Sequence, residues 1–212
     1  VEKGLDIRWY AYVNPSGLTR ELLEKYRESG CAGLVLTLES GSDLILNRLN
    51  KGFSKQDSAA AVENLVHAGI PFEVSMMTGT PGESEETLNE TLAFCRNHLA
   101  NVPVIFTQGV WMHPVSPIFA EYHSRINQDV DALSRLVLSN DVKGHNALHY
   151  YFSEQDNRNE LIRRFYREAD KEPLWFILGK DMVPDAQAGV MRFPKTDRIK
   201  RYDRPWFSGL QL

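Results

Sequence analysis

The chain has 212 residues, of which 42% are hydrophobic and 25% charged. This balance is typical of a folded globular protein and excludes a disordered chain. The formal net charge of −4 gives no overall basic surface for nucleic acid. The sequence contains no apolar run near the roughly 18 residues of a membrane span, and its first residues do not resemble a signal peptide, so a cytoplasmic location is the default expectation.

Strands and helices alternate in the first half of the chain. Between the strands, helical patterns with polar starts cover Thr19 to Ser29, Ser42 to Leu49, Ser54 to Ala68 and Ser84 to Leu99. Alternating strands and helices predict parallel strands whose following loops share one rim. Nearly continuous apolar runs, as expected of strands buried on both faces, cover Ile7 to Val13, Gly33 to Leu38, Phe72 to Met77 and Val104 to Val110.

Polar, glycine-containing segments follow the second and third predicted strands. Glu39 comes where a buried strand meets solvent, and Lys51 follows the next short helix. A carboxylate and an ammonium on one rim suit a polar ligand, although Glu39 is also placed to support the Ser42 helix and Lys51 to be plain surface. The turn Gly79-Thr80-Pro81-Gly82 precedes Glu83 and lets backbone approach a ligand at a helix start.

The cysteines and histidines give no metal signature. Cys31 and Cys95 are far apart in apolar surroundings, which predicts two reduced core residues and no self-contained iron–sulfur cluster. No metal-binding or catalytic residue is assigned. The segment from Trp111 to Pro114 either lines a pocket or packs in the core.

The pattern changes after about residue 122. The apolar run Leu174 to Leu178 is followed by irregular sequence with basic residues between Arg192 and Arg201. We therefore predict two regions, an α/β barrel part at 1–122 and an α-rich C-terminal extension with an irregular basic tail at 123–212. Helical patterns in the second region cover Gln128 to Leu138 and Ser153 to Ala169.

Taken together, the order and spacing of these segments resemble the carboxyl-terminal half of a radical S-adenosylmethionine (SAM) enzyme barrel, in its cobalamin-dependent or anaerobic-coproporphyrinogen-like branch. The similarity covers about Asp6 to Tyr122. It rests on Trp9, Gly30-Cys31, Glu39-Ser40-Gly41, Leu46 through Lys51, Gly69-Ile70, Gly79 through Glu83 and Pro114 through Phe119.

The resemblance implies a fold and a reaction. The fold is a partial (β/α)6 barrel containing strands three to six, with the CxxxCxxC loop for a [4Fe–4S] cluster outside these 212 residues. Family members reductively cleave SAM to a 5′-deoxyadenosyl radical. The chain alone is therefore expected to be inactive and unable to bind the cluster, with SAM, the cluster and, in this branch, cobalamin as cofactors of the intact protein.

The resemblance also implies roles for individual residues. Glu39 would bind the ribose or amino group of SAM and Lys51 its carboxylate, while Ser75 would lie near the ribose. The adenine would be framed by Met77 through Gly82, which includes Gly79, Thr80 and Pro81, and by the backbone from Trp111 through His113 to Pro114. Tyr10, Tyr12 and Trp111 would border a small-molecule or otherwise unknown substrate.

Two other functions stay open at this stage. One is a non-catalytic α/β domain that binds a protein or RNA through its carboxyl-terminal region, and the other is a (β/α) barrel fragment that binds phosphate near Gly79 to Gly82. The expected partner within the intact protein is the other half of the barrel. An open half barrel would expose the edge of the Ile7 strand, which predicts a homodimer.

Overall fold

A computed structural model describes residues 7–112, 116–126, 139–140, 146–150, 152, 157–178, 180–181, 183–185 and 190–192. In chain order the elements are β1 (Trp9–Val13), α1 (Arg20–Glu28), β2 (Cys31–Glu39), α2 (Asp43–Arg48), α3 (Lys55–Ala68), β3 (Phe72–Thr78), α4 (Glu85–His98), β4 (Val104–Gln108), β5 (Val110–Met112), α5 (Pro117–Ile126), β6 (Ser139–Asn140), β7 (Asn146–Tyr150), α6 (Arg158–Ala169), β8 (Trp175–Ile177), β9 (Val183–Asp185) and β10 (Val190–Arg192).

The main sheet has five strands in the order β1-β2-β3-β4-β8, and every neighbouring pair is parallel. The strand order follows the chain order without a reversal. Right-handed crossovers in one direction put the connecting helices on a single face of the sheet. The result is an arc of a singly wound barrel, as the sequence predicts.

One hydrophobic core joins the sheet to its helices. It includes the fully buried Leu36 and Val74 of the central strands and Leu23, Leu65 and Leu92 of α1, α3 and α4. Residues that alternate with the core positions point to the other face. On this second face, which we call the concave face, Val35, Thr37, Ser75, Met77 and Thr107 are only partly buried.

Local sequence signals explain several helix ends. Ser54 and Asp57 form the predicted capping box of α3, and Gly69 ends that helix with φ +64°. At α4 the partner of Ser84 is Thr87. The Asp43 carboxylate accepts a 2.7 Å hydrogen bond from the Lys55 backbone N–H, so it supports the start of α3 although it lies in the first turn of α2.

The apolar run Leu174 to Leu178 supplies the fifth parallel strand, β8, one strand more than the four predicted. Strands β5, β7 and β6 form a small antiparallel sheet. The helix predicted over Gln128 to Leu138, the first residues of the helix predicted over Ser153 to Ala169 and the tail after Arg192 lie outside the described residues. Within the described ranges, no helix has the length and apolar character needed to cross a bilayer.

Candidate functional site

The rim formed by the carboxyl ends of the strands contains the predicted polar residues. Glu39, the last residue of β2, has φ +70°, which is uncommon for a residue with a side chain. The Ser40 backbone N–H donates a 2.8 Å hydrogen bond to the Leu38 carbonyl, which closes a tight γ-type turn around Glu39. Such a conformation costs about 1–3 kcal/mol and persists where the surrounding structure enforces it, often at functional sites.

Lys51 lies next to Glu39 because of the way α2 ends. Asn50 adopts φ +51°, the Asn50 N–H donates to the Asn47 carbonyl, and the Lys51 N–H donates to the Leu46 carbonyl at 3.1 Å. This is the hydrogen-bond pattern of a Schellman motif, with asparagine in the position often taken by glycine. It turns the chain back so that Lys51 Nζ lies 2.9 Å from Glu39 Oε1. Both side chains are partly buried.

The loop from Gly79 to Glu83 is organised by a buried carboxylate. Glu83 Oε2 accepts a hydrogen bond from the Gly79 N–H at 2.9 Å, and Oε1 accepts one from Thr87 Oγ1 at 3.0 Å. The Glu83 N–H in turn donates to the Thr80 carbonyl. Burial raises the pKa of Glu83 to about 7, although the hydrogen bonds that the carboxylate accepts oppose the shift.

Two backbone carbonyls at the start of this loop accept hydrogen bonds from backbone N–H groups of other segments. The Gly109 N–H donates to the Thr78 carbonyl at 2.7 Å, and the Phe152 N–H donates to the Gly79 carbonyl at 2.9 Å. The backbone of the loop is thus fixed from both sides, by the chain after β4 and by the chain after β7. Its remaining polar backbone groups lie nearer to Pro81 and Gly82.

A third set of contacts holds the turn after Glu39 against α4. Ser40 Oγ lies 3.0 Å from Thr91 Oγ1, which also accepts a hydrogen bond from the Gly41 N–H. A Cβ atom at Gly41 would lie 2.5 Å from Phe94 Cβ and 2.9 Å from Thr91 Cα. Gly41 is therefore required because the turn and the helix are in direct contact, which is a packing role.

A cavity of about 850 Å³ opens beside the Glu39–Lys51 pair. Ligand sites commonly fall in the range of roughly 300–1,000 Å³. The lining residues come from the end of α2, the concave face of the sheet, the Gly79 loop and the β5–α5 segment. They are Arg48, Leu49, Asn50, Lys51, Met77, Pro81, Thr107, Gly109, Val110, Pro117, Ile118 and Glu121.

The structure brings some of the predicted site residues together. Lys51, Met77 and Pro81 line the cavity, and Glu39 is held against it by its ion pair with Lys51. Ser75 lies two residues before Met77 on the same concave face. Gly79, Thr80 and Gly82 flank Pro81; Thr80 is fully buried, and its Oγ1 has no hydrogen-bond partner among the described residues.

Other predicted residues are not among those that line the cavity, or are not described. Tyr10 and Tyr12 are exposed by 50% and 78% on β1, the edge strand opposite β8. Trp111 lies in β5, where its backbone pairs with His149. His113 is outside the described residues.

Sequence reasoning missed most of the cavity wall. Arg48, Asn50 and Glu121 are polar residues on helices or at helix ends, where charged side chains are common and carry no motif of their own. One signal was available. Asparagine followed by Lys51-Gly52 after a short helix is typical of a helix end that reverses the chain.

Comparison with known proteins shows which superfamily one part of the chain is similar to. Residues 2–95 match the sequence profile of the radical SAM superfamily. An uncharacterized methyltransferase of Pyrococcus horikoshii is 30% identical over 95 residues, and a tRNA-2-methylthio-N(6)-dimethylallyladenosine synthase of Syntrophus aciditrophicus is 33% identical over 94 residues. These alignments cover 45% and 42% of the chain but only 21% and 20% of the two relatives.

A solved radical SAM enzyme shares the fold. The radical S-adenosylmethionine methyltransferase TsrM of Kitasatospora setae, with cobalamin and a [4Fe-4S] cluster bound, superimposes with a TM-score of 0.60 at 19% identity. The superposition covers 80% of this chain and 38% of TsrM. The radical SAM barrel architecture predicted from the sequence is confirmed, and the chain spans well under half of these relatives.

The two cysteines of the matched segment do not fit an iron–sulfur cluster. Cys31 begins β2, at the end of the strand remote from Glu39, and Cys95 is fully buried on α4. Burial raises the pKa of both thiols, so neither is prepared to act as a thiolate ligand. In the described part of the chain, no three His, Cys, Asp or Glu side chains form a metal-binding group.

Proposed function

We propose that this chain forms the SAM-binding rim of a radical SAM enzyme and contributes part of its substrate cavity. The observation that carries the proposal is the Glu39–Lys51 pair, whose charged atoms are 2.9 Å apart beside the 850 Å³ cavity. The amino-acid end of SAM carries an ammonium and a carboxylate on one carbon. A carboxylate and an ammonium held side by side by the protein complement that pair of charges.

In this proposal each residue has a binding role. Glu39 accepts hydrogen bonds from the amino group or ribose, and Lys51 pairs with the carboxylate. Ser75 lies on the ribose side of the concave face. The adenine lies against Met77 and the backbone of the Gly79 loop, where Glu83 and two external donors have already fixed the conformation.

The chemistry itself belongs to the bound groups. In radical SAM enzymes, reductive cleavage of SAM supplies a 5′-deoxyadenosyl radical. The residues of this chain bind and orient the cosubstrate and line the space next to it. The cluster thiolates come, in this proposal, from another segment of the intact protein, and the isolated chain is inactive.

The experiment uses the intact protein that carries this chain. It is reconstituted anaerobically with iron and sulfide, reduced, and incubated with SAM, and 5′-deoxyadenosine is measured by mass spectrometry. We expect 5′-deoxyadenosine to form only when cluster, reductant and SAM are all present. A preparation with a full cluster that forms none contradicts the proposal.

The names of the relatives suggest the type of reaction. Their names describe a methyltransferase and a tRNA methylthio-group synthase. We propose transfer of a one-carbon or sulfur-containing group as the overall reaction, in the cytoplasm, with cobalamin as a candidate additional cofactor. The visible absorption spectrum of the purified intact protein shows whether it retains cobalamin. Retained cobalamin favours the cobalamin-dependent branch over the anaerobic-coproporphyrinogen-like branch.

We also propose that the isolated chain pairs through its edge strand. The outer edge of β1 has no neighbouring strand among the described residues, and Tyr10 and Tyr12 are exposed there. Such an edge favours pairing with a second chain. Sedimentation velocity should show a dimer, and a single monomeric species at high concentration contradicts this.

A further inference from the structure

The first turns of α5 form one wall of the 850 Å³ cavity. Ser116 caps this helix, because its Oγ accepts a 3.3 Å hydrogen bond from the Phe119 N–H. Pro117 is then the first helical residue, a position where the missing N–H of proline breaks no helical hydrogen bond. Residues three or four apart on a helix share a face. The helix therefore presents Pro117, Ile118 and Glu121 together, and all three line the cavity.

The carboxylate of Glu121 is available to a ligand. The charged residues in the described lining are Arg48, Lys51 and Glu121. Lys51 is matched by Glu39 at 2.9 Å. Arg48 packs against Gly82, where an added Cβ atom would lie 2.8 Å from its Cδ, and it interacts with other groups of the protein. Glu121 is exposed, and within the described residues it takes part in no hydrogen bond or ion pair.

The α5 wall is distinct from the residues proposed to hold SAM. Those that line the cavity, Lys51, Met77 and Pro81, come from the end of α2, from β3 and from the Gly79 loop. The volume of about 850 Å³ is near the upper end of the roughly 300–1,000 Å³ of common ligand sites. The cavity therefore has space for a second molecule on the side that α5 forms.

The chemistry of the α5 wall defines what that molecule must carry. A carboxylate attracts an ammonium group and forms charge-assisted hydrogen bonds with it. Ile118 and Pro117, beside Glu121 on the same face, offer apolar surface to the rest of the ligand. An amine with an apolar body matches both features, whereas a carboxylic acid of the same shape would be repelled by Glu121.

We propose that Glu121 and Ile118 form the substrate-selecting wall of the cavity and that the substrate is an amine with an apolar body. Its ammonium group pairs with Glu121, and its apolar part lies on Ile118. Glu121 is then a specificity-determining residue. This inference rests on the proposed function for the identity of the neighbouring ligand, SAM.

Three probes of nearly the same shape test the charge preference. They are phenethylamine, phenethyl alcohol and hydrocinnamate, which carry a positive, a neutral and a negative group on one aromatic body. Dissociation constants are measured by NMR titration of the intact protein that carries this chain. We expect the amine to bind most tightly and the acid most weakly. Equal affinities, or no binding of the amine, would overturn the proposal.

Variants at Glu121 show whether this residue sets the preference. Glu121→Gln should weaken phenethylamine binding about threefold to tenfold and leave phenethyl alcohol nearly unchanged. Glu121→Lys should reverse the order of the amine and the acid. Glu63→Gln, the same change at an exposed position of α3 outside the cavity lining, is the matched control. Wild-type affinity for the amine in Glu121→Gln would contradict the proposal.

Ile118→Ala tests the apolar half of the wall. It should weaken the binding of all three probes by a similar factor, because the probes share the aromatic body that lies on Ile118. An effect confined to one probe, or no effect, would remove Ile118 from the wall. Unfolding midpoints of all variants separate loss of the subsite from loss of the fold.

Repeating the titrations with SAM distinguishes this inference from the proposed function. We expect SAM and phenethylamine to bind together. Mutual exclusion would assign the α5 wall to SAM and overturn the second-molecule proposal. If SAM does not bind but the amine preference depends on Glu121, the proposed function fails and the subsite stands. If SAM binds and Glu121 sets no preference, the subsite fails and the proposed function stands.

Discussion

The Gly79 N–H donates a 2.9 Å hydrogen bond to the carboxylate of Glu83, four residues later in the same loop. Glu83 is nearly completely buried, and the donors to its carboxylate, the Gly79 N–H and the Thr87 hydroxyl, are both uncharged. This acidic side chain thus holds the loop from within, in addition to the Gly109 and Phe152 N–H groups that hold it from outside. The protonation state of Glu83 therefore makes the stability of the folded protein depend on pH.

The first prediction concerns stability and pH. Burial raises the pKa of Glu83 from 4.5 to about 7 in the folded protein. The folded state therefore binds this proton more tightly than the unfolded state, so its contribution to stability is complete below about pH 4.5 and is lost as pH rises to about 7. The difference corresponds to about 3 kcal/mol in the free energy of unfolding.

Glu83→Gln removes this titration and keeps the shape of the side chain. Denaturant unfolding of both proteins between pH 4.5 and 8 gives the measurement. Because other carboxyls also titrate, the informative quantity is the wild-type value minus the variant value, which should fall as pH rises. A difference that is constant across this range would show that Glu83 does not titrate there.

The second prediction concerns SAM affinity. Glu39→Gln and Lys51→Met each remove one charge from the pair beside the cavity and leave the other without its partner. We expect each to weaken SAM binding to the intact protein by about 1–3 kcal/mol. The double variant should lose less than the sum, because the two residues act on adjacent groups of one ligand.

Equilibrium dialysis with labelled SAM measures these affinities. Lys55→Met, an exposed lysine at the start of α3 that lies outside the cavity lining, is the control. If Glu39→Gln binds SAM as tightly as the wild type, Glu39 has no part in the site.

The sequence predicts the scaffold of this site better than its contacts. Strand periodicity and helix caps depend on neighbours within a few residues, so β1 to β4 and α1 to α4 are found close to their predicted bounds. The prediction also agrees with the structure at the rim, because parallel strands necessarily bring Glu39 and the Gly79 loop to the same edge of the sheet. The short strand β8 has too few residues to distinguish a strand from a buried turn before its pairing with β4 is known.

The contacts within the site depend on how the chain turns and on residues that are far apart in the sequence. Lys51 reaches Glu39 only because Asn50 reverses the chain at φ +51°. Gly41 is in the family resemblance as part of Glu39-Ser40-Gly41, but its physical reason is Phe94 and Thr91, about fifty residues later. Arg48 has no motif, and its place over Gly82 follows from how α2 packs beside the loop. Such pairings are absent from local sequence patterns.

The third prediction tests the packing at Gly41. Gly41→Ala places a methyl group within 3 Å of the Phe94 side chain and the Thr91 backbone, where little can move. We expect a loss of about 1–3 kcal/mol or more in the free energy of unfolding. Gly52→Ala is the control, because its Cβ would meet no atom within 4 Å and only the cost of φ +72° remains.

Urea unfolding of the two variants gives the comparison. Gly41→Ala should lower the midpoint clearly more than Gly52→Ala does. Equal losses would mean that α4 shifts to accept the methyl group, so that the contact is adaptable.

The fourth prediction concerns how α6 and β8, the last helix and strand of the main sheet, are attached to α4. Arg96 of α4 donates to Glu172 and Glu168, each at 2.8 Å, and its guanidinium lies 5.5 Å from the centre of the Trp175 ring. These contacts join α4 to the end of α6 and the start of β8. Because the side chains are largely at the surface, screening by water limits their combined contribution to about 1 kcal/mol.

Arg96→Met should therefore have a small effect on global stability and a larger local one. We expect faster hydrogen exchange at the backbone amides of Trp175 to Ile177, with β2 and β3 unchanged, and a weaker difference at high salt because the ion pairs are screened. Arg167→Met, an exposed arginine in the last turn of α6, is the control. Unchanged exchange in β8 would show that the apolar contacts of Trp175 and Phe165 alone hold this unit on the sheet.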